Sequence, residues 1–575
     1  MRTSSLVATR FRLAFALFLL SLLPLALVSA QTDDKKKPDL TIDKRDAAIL
    51  RNAKLSTDAE TLHDFLKKRT LPEKDRPELE RLVRKLASSD YRTRERAMHT
   101  LEARGSAALD VLRAYRTSNL SMEAIRRIER AIENIQLADV SPEVPAAAIR
   151  VLALHKPAAL VETLLAYVPF ADNDVVMDEL RDALTKHALD ARKASPHLLA
   201  ALADRAPQRR ALAAEVLSRA VLADHKEAVR KLLKDDDSQV RFRTARALIY
   251  AKDRDAIPVL IDALPDLPLN AGWQAEDLLL HVALGTPAPS APYGNDKDTR
   301  DKCKAGWLAW WKTHGAKVDL AKLAEPPRLL GRTLIVLLDQ GSVLELGPDR
   351  TPRWELKNIV FPLDAQVIDD DRVLVAEYHA NRVTERSVKG NGDPIWQKAV
   401  TAPLAAQRLS NGNTFVLTDR ALLEFDKDGR ETMNISFDGE LRKIMKAMKL
   451  ESGEIVCMQA DARIVRYDAQ GREVSSFTVN LGTRLFGGRI HMLPTGRVLI
   501  PHAGEGKVIE YDAKGKAVWE VAFEQPIAAT RLPNGNTLIT SMNASVGAIE
   551  VDRAGNEVWS YRDPSNTRVT RAIRR

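Results

Sequence analysis

The sequence predicts a multidomain α plus β protein: an N-terminal α-solenoid, then a six-bladed β-propeller closed by the C-terminal strand. Three observations predict it. A unit of about forty residues recurs from Gly331 to the C-terminus, with one copy split between the two ends of that region. From about Arg76 to Ala316, apolar residues instead recur at spacings of three and four, the period of amphipathic helices. Within that half, one pair of helices is echoed 147 residues later.

At 575 residues the chain exceeds what one hydrophobic core normally holds. A hydrophobic content of 45% with 29% charged residues describes a globular protein, not a disordered one. Arg2, Arg10 and Arg12 precede an apolar run from Leu13 to Val28, and Val28-Ser29-Ala30 presents small residues at cleavage positions −3 and −1. Gln31 to Pro38 then turns polar. A signal peptide over 1–30, cleaved after Ala30, and export to the periplasm or extracellular space are therefore expected. An uncleaved signal anchor is the alternative, though Pro24 and the shortness of the run argue against a stable span. Ala30 is followed by Gln31 rather than Cys, so the sequence gives no support to a lipid anchor. Loss of the three arginines lowers the net charge from +9 to +6. Both signs are intermixed and no basic stripe with interleaved aromatics occurs, so nucleic acid is not an expected partner. Cys303 and Cys457 fall in different predicted domains and read as isolated thiols.

Residues 31–74 read as a polar linker with a first helix, and 75–316 as helical repeats. Asp90, Arg94, Arg96 and Leu101 correspond to Asp237, Arg241, Arg243 and Leu248, and the helix Ala108-Leu109-Asp110-Val111-Leu112 to Ala256-Ile257-Pro258-Val259-Leu260. Each Asp can cap the free N–H groups of its helix. These residues resemble HEAT-type repeats, which implies a solenoid whose curved face binds a protein partner. After a Pro/Gly-rich loop from Gly285 to Asp298, a last helix carries Trp307, Trp310 and Trp311, expected as a buried plug between the domains. Pro326-Pro327 marks the linker 317–330.

The propeller, 331–575, is carried by the tetrads Leu409-Ser410-Asn411-Gly412, Leu450-Glu451-Ser452-Gly453, Leu493-Pro494-Thr495-Gly496 and Leu532-Pro533-Asn534-Gly535. A looser copy starts at Ile368. Successive spacings are 41, 41, 43 and 39 residues, and a further 41 from Leu532 reaches Ile573, near the chain's end. Its continuation is found at Gly331-Arg332-Thr333-Leu334-Ile335, so the tail is expected to supply the innermost strand of the first blade and remove exposed edges. A charge in that strand, as in Ile573→Asp, is expected to destabilise the propeller. A second landmark, Asp-x-x-Gly, begins at Asp426, Asp468, Asp512 and Asp552 and joins the two outer strands, with Gly supplying a positive φ. Trp354, Trp396, Trp519 and Trp559 keep one spacing from this turn and are expected to pack between blades.

The stretch Asp512 to Trp519 resembles the repeat of quinoprotein-type propellers, and Leu532 to Ile539 resembles repeats of arylsulfotransferase-like propellers. The first resemblance implies a quinone over calcium and often an adjacent Cys pair. Here the cysteines are 154 residues apart and no acidic cluster stands out, so neither cofactor nor metal is expected. The second implies a nucleophilic His in the channel. None of His379, His491 and His502 lies in a stretch matching that family's motif, so no catalytic residue is assigned. The loops between second and third strands bring together Tyr378, His379, Asn381, Arg382, Asp419, Arg420, Asp461, Arg463, His502, Glu505 and Asn543, a candidate rim for a polar ligand. The reading is non-catalytic binding, with the solenoid for a protein partner and the rim for a polar ligand or second partner. The alternative is an arylsulfotransferase-like enzyme acting through a channel histidine.

Overall fold

In the computed structural model, the described residues are 42–575, apart from 117–119, 142, 172–173, 191–192, 221, 285, 287, 290, 292, 322, 324, 326–328, 330, 349, 370, 481, 483–486 and 494. The expected signal peptide and the Pro326-Pro327 boundary lie outside them.

Helices begin earlier than the sequence suggests. Two helices, Lys44–Asn52 and Ala59–Lys68, precede the repeats where one was expected. Arg150, in helix Glu143–His155, grips the first of them through Asp46 (Nε to Oδ2, 2.9 Å) and holds Glu179 with another nitrogen. The N-terminal pair is thereby an integral part of the helical body, whose buried apolar residues form a single cluster from Leu50 to Leu320.

The capping expected at Asp90 and Asp237 is present: Asp90 accepts from Thr93 N at 2.8 Å, and Asp237 from Gln239 N at 2.8 Å. In addition, the first-turn arginine of each helix reaches back to the two carbonyls before its cap. Arg94 donates to Ser88 and Ser89, and Arg241 to Asp235 and Asp236. Arg210 does the same to Asp204 and Arg205, and Arg300 to Gly294 and Asn295. Two further units thus share a device that the echo at 147 did not reveal. It satisfies turn carbonyls that no helix can bond. The tryptophans also differ from expectation. Trp307 and Trp310 are buried within the helical core and packed edge to face, while Trp311 is half-buried beneath Arg254. They close the end of the helical domain and do not plug the seam with the next one.

Apart from the short pair Leu189–Asp190 and Lys193–Ala194 among the helices, the described strands form six four-stranded antiparallel blades. Blade 1 takes its innermost strand, Val569–Arg574, from the C-terminus and the rest from Thr333–Leu337, Ser342–Leu346 and Pro352–Leu356. The pairing of Ile573 with Leu334 and Arg574 with Thr333 closes the ring. Blades 2 to 6 start at Pro362, Ala405, Ile444, His491 and Pro526. The tetrad Leu409–Gly412 turns the first strand of blade 3 into the second, with Gly412 at φ +88° and its N–H bonded to Leu409 O at 3.0 Å. Asp426 accepts from Asp428 N and Arg430 N, both at 2.9 Å, fixing the turn between the outer strands.

Between blades runs a belt of ion pairs. A third-strand glutamate meets a cation at the end of the next blade's first strand, and that cation lies over the fourth-strand tryptophan. Glu385, Arg408 and Trp396 form one such set, with an ion pair of 2.7 Å and a ring distance of 5.4 Å. Glu510, Arg531 and Trp519 form another at 2.6 and 4.2 Å. Glu550, Arg574 and Trp559 form a third. Where Met433 replaces Trp, Lys449 replaces Arg beside Glu424. The tryptophans therefore stabilise the seams through cation–π contact as well as area.

Candidate functional site

Alternation of strand direction gives the ring two faces. One carries the tight turns between first and second and between third and fourth strands. The other carries the loops between second and third strands and from blade to blade. The helical domain meets the turn face: Gln274 donates to Asn534 O at 3.3 Å, and Arg553 holds both carboxylate oxygens of Asp277 at 3.1 and 3.2 Å. Apart from His502, the predicted rim residues belong to the opposite, loop face.

On that face Phe361, Tyr378 and His379 come together, with the His379 ring stacked on Phe361 at 4.0 Å and Tyr378 tilted against both. The other predicted residues bond locally. Asn381, at φ +51°, accepts from Ala402 N at 2.8 Å, and Arg382 pairs with Glu377 at 3.0 Å. Asp419 faces Lys443 at 3.5 Å, and Arg420 pairs with Glu440 at 3.1 Å. Asp461 accepts from Arg463 N, while the Arg463 guanidinium binds Glu473 and Ser476. Glu505 pairs with Lys507 at 3.1 Å, and Asn543 bonds Glu524 and Ser545. Among the described residues, no hydrogen bond or ion pair joins predicted rim residues of different blades. His502 is not a rim residue. It is 1% exposed, with Nδ1 on Asn480 O at 2.8 Å and Nε2 on Tyr511 Oη at 3.0 Å. His491 is likewise internal: Nδ1 accepts from Arg531 N at 3.0 Å, and burial with the Arg571 and Arg531 charges lowers its pKa to about 4. Both histidines are thus tied into the fold by bonds to neighbouring strands and loops.

The charged chemistry that sequence reasoning missed lies in the channel. One register position of the six innermost segments falls on Asp364, Ala405, Lys446, Arg489, Ala528 and Arg571. Arg489, at the entry of blade 5, reaches across the axis to Asp364 of blade 2 at 2.8 Å, and Arg571 approaches the same carboxylate at 3.6 Å. Lys446 is fully enclosed and donates to the carbonyls of Gly487 and Ile527; burial, then the Arg571 charge, lowers its pKa to about 7. On the loop-face side of this layer Leu363, Leu404 and Met445 are buried. On the turn-face side a cavity of about 390 Å³ is lined by Gln366, Asp369, Arg489, Arg571, Ile573 and Arg575 among others. Aligning the six units residue by residue would have exposed this position, where charges interrupt alanines.

Among the described residues, no helix is long and apolar enough to cross a membrane. A family model described as outer membrane protein assembly factor BamB matches residues 460–575, the segment that includes the quinoprotein-type stretch at Asp512. A model described as HEAT repeats matches residues 195–269. Neither matching model is of arylsulfotransferase type. A search of curated proteins gives no match. Among solved structures, the chain is similar to a protein of unknown function from Bacteroides caccae, at 14% identity over 42% of this chain and 98% of that one, TM-score 0.37. It is also similar to a streptogramin B lyase (13% identity, 41% and 76% coverage, TM-score 0.29). A virginiamycin B lyase from Staphylococcus aureus, solved with quinupristin, gives 12% identity, 40% and 74% coverage and a TM-score of 0.29. The chain thus joins HEAT-type repeats to a quinoprotein-like six-bladed propeller, two architectures suited to protein interaction.

Proposed function

We propose that this protein is an exported binding or scaffold protein whose solenoid engages a protein partner and whose loop face engages a polar ligand or a second partner. The observation that carries the reading is the docking of the helical domain on the turn face through Asp277 and Arg553. That contact leaves the opposite face, with Tyr378, His379, Asn381, Arg382, Asp419, Arg420, Asp461, Arg463, Glu505 and Asn543, free of the helices. Loops on a rigid scaffold are the usual seat of recognition. The description of the matching propeller model as an assembly factor of the outer membrane supports an envelope location and a role among protein partners.

The test is recovery of the protein from its host's envelope after photo-crosslinking from position 379 and, separately, from exposed Arg205 on the solenoid. A discrete adduct at each site and an N-terminus at Gln31 are expected. Cytosolic protein beginning at Met1 would sink the export reading. Absence of adducts, together with sulfuryl transfer to a phenol that His379→Ala abolishes, would put the enzyme in its place.

A further inference from the structure

Arg571 presents a conflict that the fold does not resolve. Its side chain is 9% exposed, yet among the described residues its guanidinium makes no hydrogen bond; its nearest carboxylate, Asp364, stands at 3.6 Å with Oδ1 also unbonded. A buried guanidinium without acceptors is costly, because the hydration it loses is not replaced. Arg571 lines the turn-face cavity of about 390 Å³ together with Arg489. The carboxylates nearby do not balance these cations. Asp364 is already bonded to Arg489 at 2.8 Å and Asp369 to Arg372 at 2.8 Å, while Arg575 lies 3.4 Å from Glu345. Arg489 and Arg571 thus share the single carboxylate of Asp364 beside a space large enough for several heavy atoms.

We propose that this cavity is a binding site for a phosphate-sized oxyanion, gripped by Arg571 and Arg489 at the turn-face end of the channel. Guanidinium forks match the paired oxygens of such an anion, and charge-assisted bonds of this kind are the strongest that the site can offer. Gln366, held 3.4 Å from Arg489 and bonded to Arg408 across the seam, supplies a neutral wall that admits an anion. The site lies on the opposite face from the proposed rim and does not depend on it.

Isothermal titration of the purified protein with inorganic phosphate, at constant ionic strength set by chloride, tests this. One saturable site is expected, and Arg571→Met should weaken it at least about ten-fold. Gln366→Glu, which puts a fixed carboxylate beside Arg489, should abolish it while circular dichroism stays native. Crystals soaked in selenate provide a readout independent of variants, with the anomalous peak expected beside Arg571. Any of three results overturns the proposal: no saturable heat in the wild type, unchanged affinity in a folded variant, or selenate bound elsewhere and not here.

Discussion

Glu215 in the helical domain and Glu510 in the propeller are each ringed by three arginines, yet the two sites are built differently. Arg181 from one helix and Arg243 and Arg246 from another approach Glu215, with side chains 13%, 16% and 29% exposed. Arg497, Arg531 and Arg553 approach Glu510, which is wholly enclosed, with side chains 11%, 4% and 5% exposed. Burial opposes ionisation of Glu510, but the Arg553, Arg531 and Arg497 charges prevail and hold its pKa at about 2. At Glu215, Arg246 also finds a neutral acceptor in Gln274 and borders a cavity of about 190 Å³. An open stack of helices can let water share a charge, whereas a closed ring cannot, so the same ionic motif weighs more where the architecture seals it.

The largest expected effect tests that difference directly. Glu510→Ala leaves three enclosed arginines and should cost about 4 kcal/mol, against about 2 kcal/mol for Glu215→Ala. Equal losses in urea unfolding would break the comparison. Closure itself is probed next. Ala572 is buried in the apolar seam with Leu346 and Leu538, so Ala572→Asp should cost about 3 kcal/mol. Ile573 instead borders the cation-lined cavity, so an Asp there should cost distinctly less. Melting temperatures of the two variants in that order would sharpen the account of the ring; the reverse order would refute it.

A third prediction uses Glu276, which is buried at the domain junction and raised by that burial to a pKa of about 7 from 4.5. The folded state holds its proton between pH 4.5 and 7 while the unfolded state does not, so this contribution is present at low pH and is lost as pH rises through about 7. Glu276→Gln should therefore gain stability relative to wild type on going from pH 4.5 to 7.5, by at most about 3 kcal/mol. Glu510 acts in the opposite sense, stabilising above pH 4.5 and losing that effect as pH falls toward 2. A flat difference between variant and wild type across the first window would show that Glu276 is not protonated in the fold. The smallest effect belongs to the helix caps: Asp237→Ala should cost about 1 kcal/mol in thermal unfolding.

Much of this architecture is legible in short stretches of chain. Leu532 to Gly535, Asp512 to Gly515 and Asp237 to Arg241 fold through bonds spanning a few residues, so their recurrence counts blades and repeats without tertiary knowledge. The rim residues fall at the connections between second and third strands for the same reason, although Arg382 and Arg463 open third strands, and His502 ends a second strand and turns inward to Tyr511. The helices before Arg76, the arginines at 210 and 300 and the placement of Trp307 were less visible, because packing against distant helices decides them.

By itself, the sequence determined where the chain turns, how many units it repeats and that its tail completes the first blade. Only the tertiary structure decided that Asp364 and Arg489, 125 residues apart, meet across the axis, that Arg571 is buried without an acceptor, and that Asp277 docks on Arg553. The physical reason is range: turns and caps are fixed by hydrogen bonds along the chain, whereas buried charges take their partners from whichever strands ring closure brings beside them.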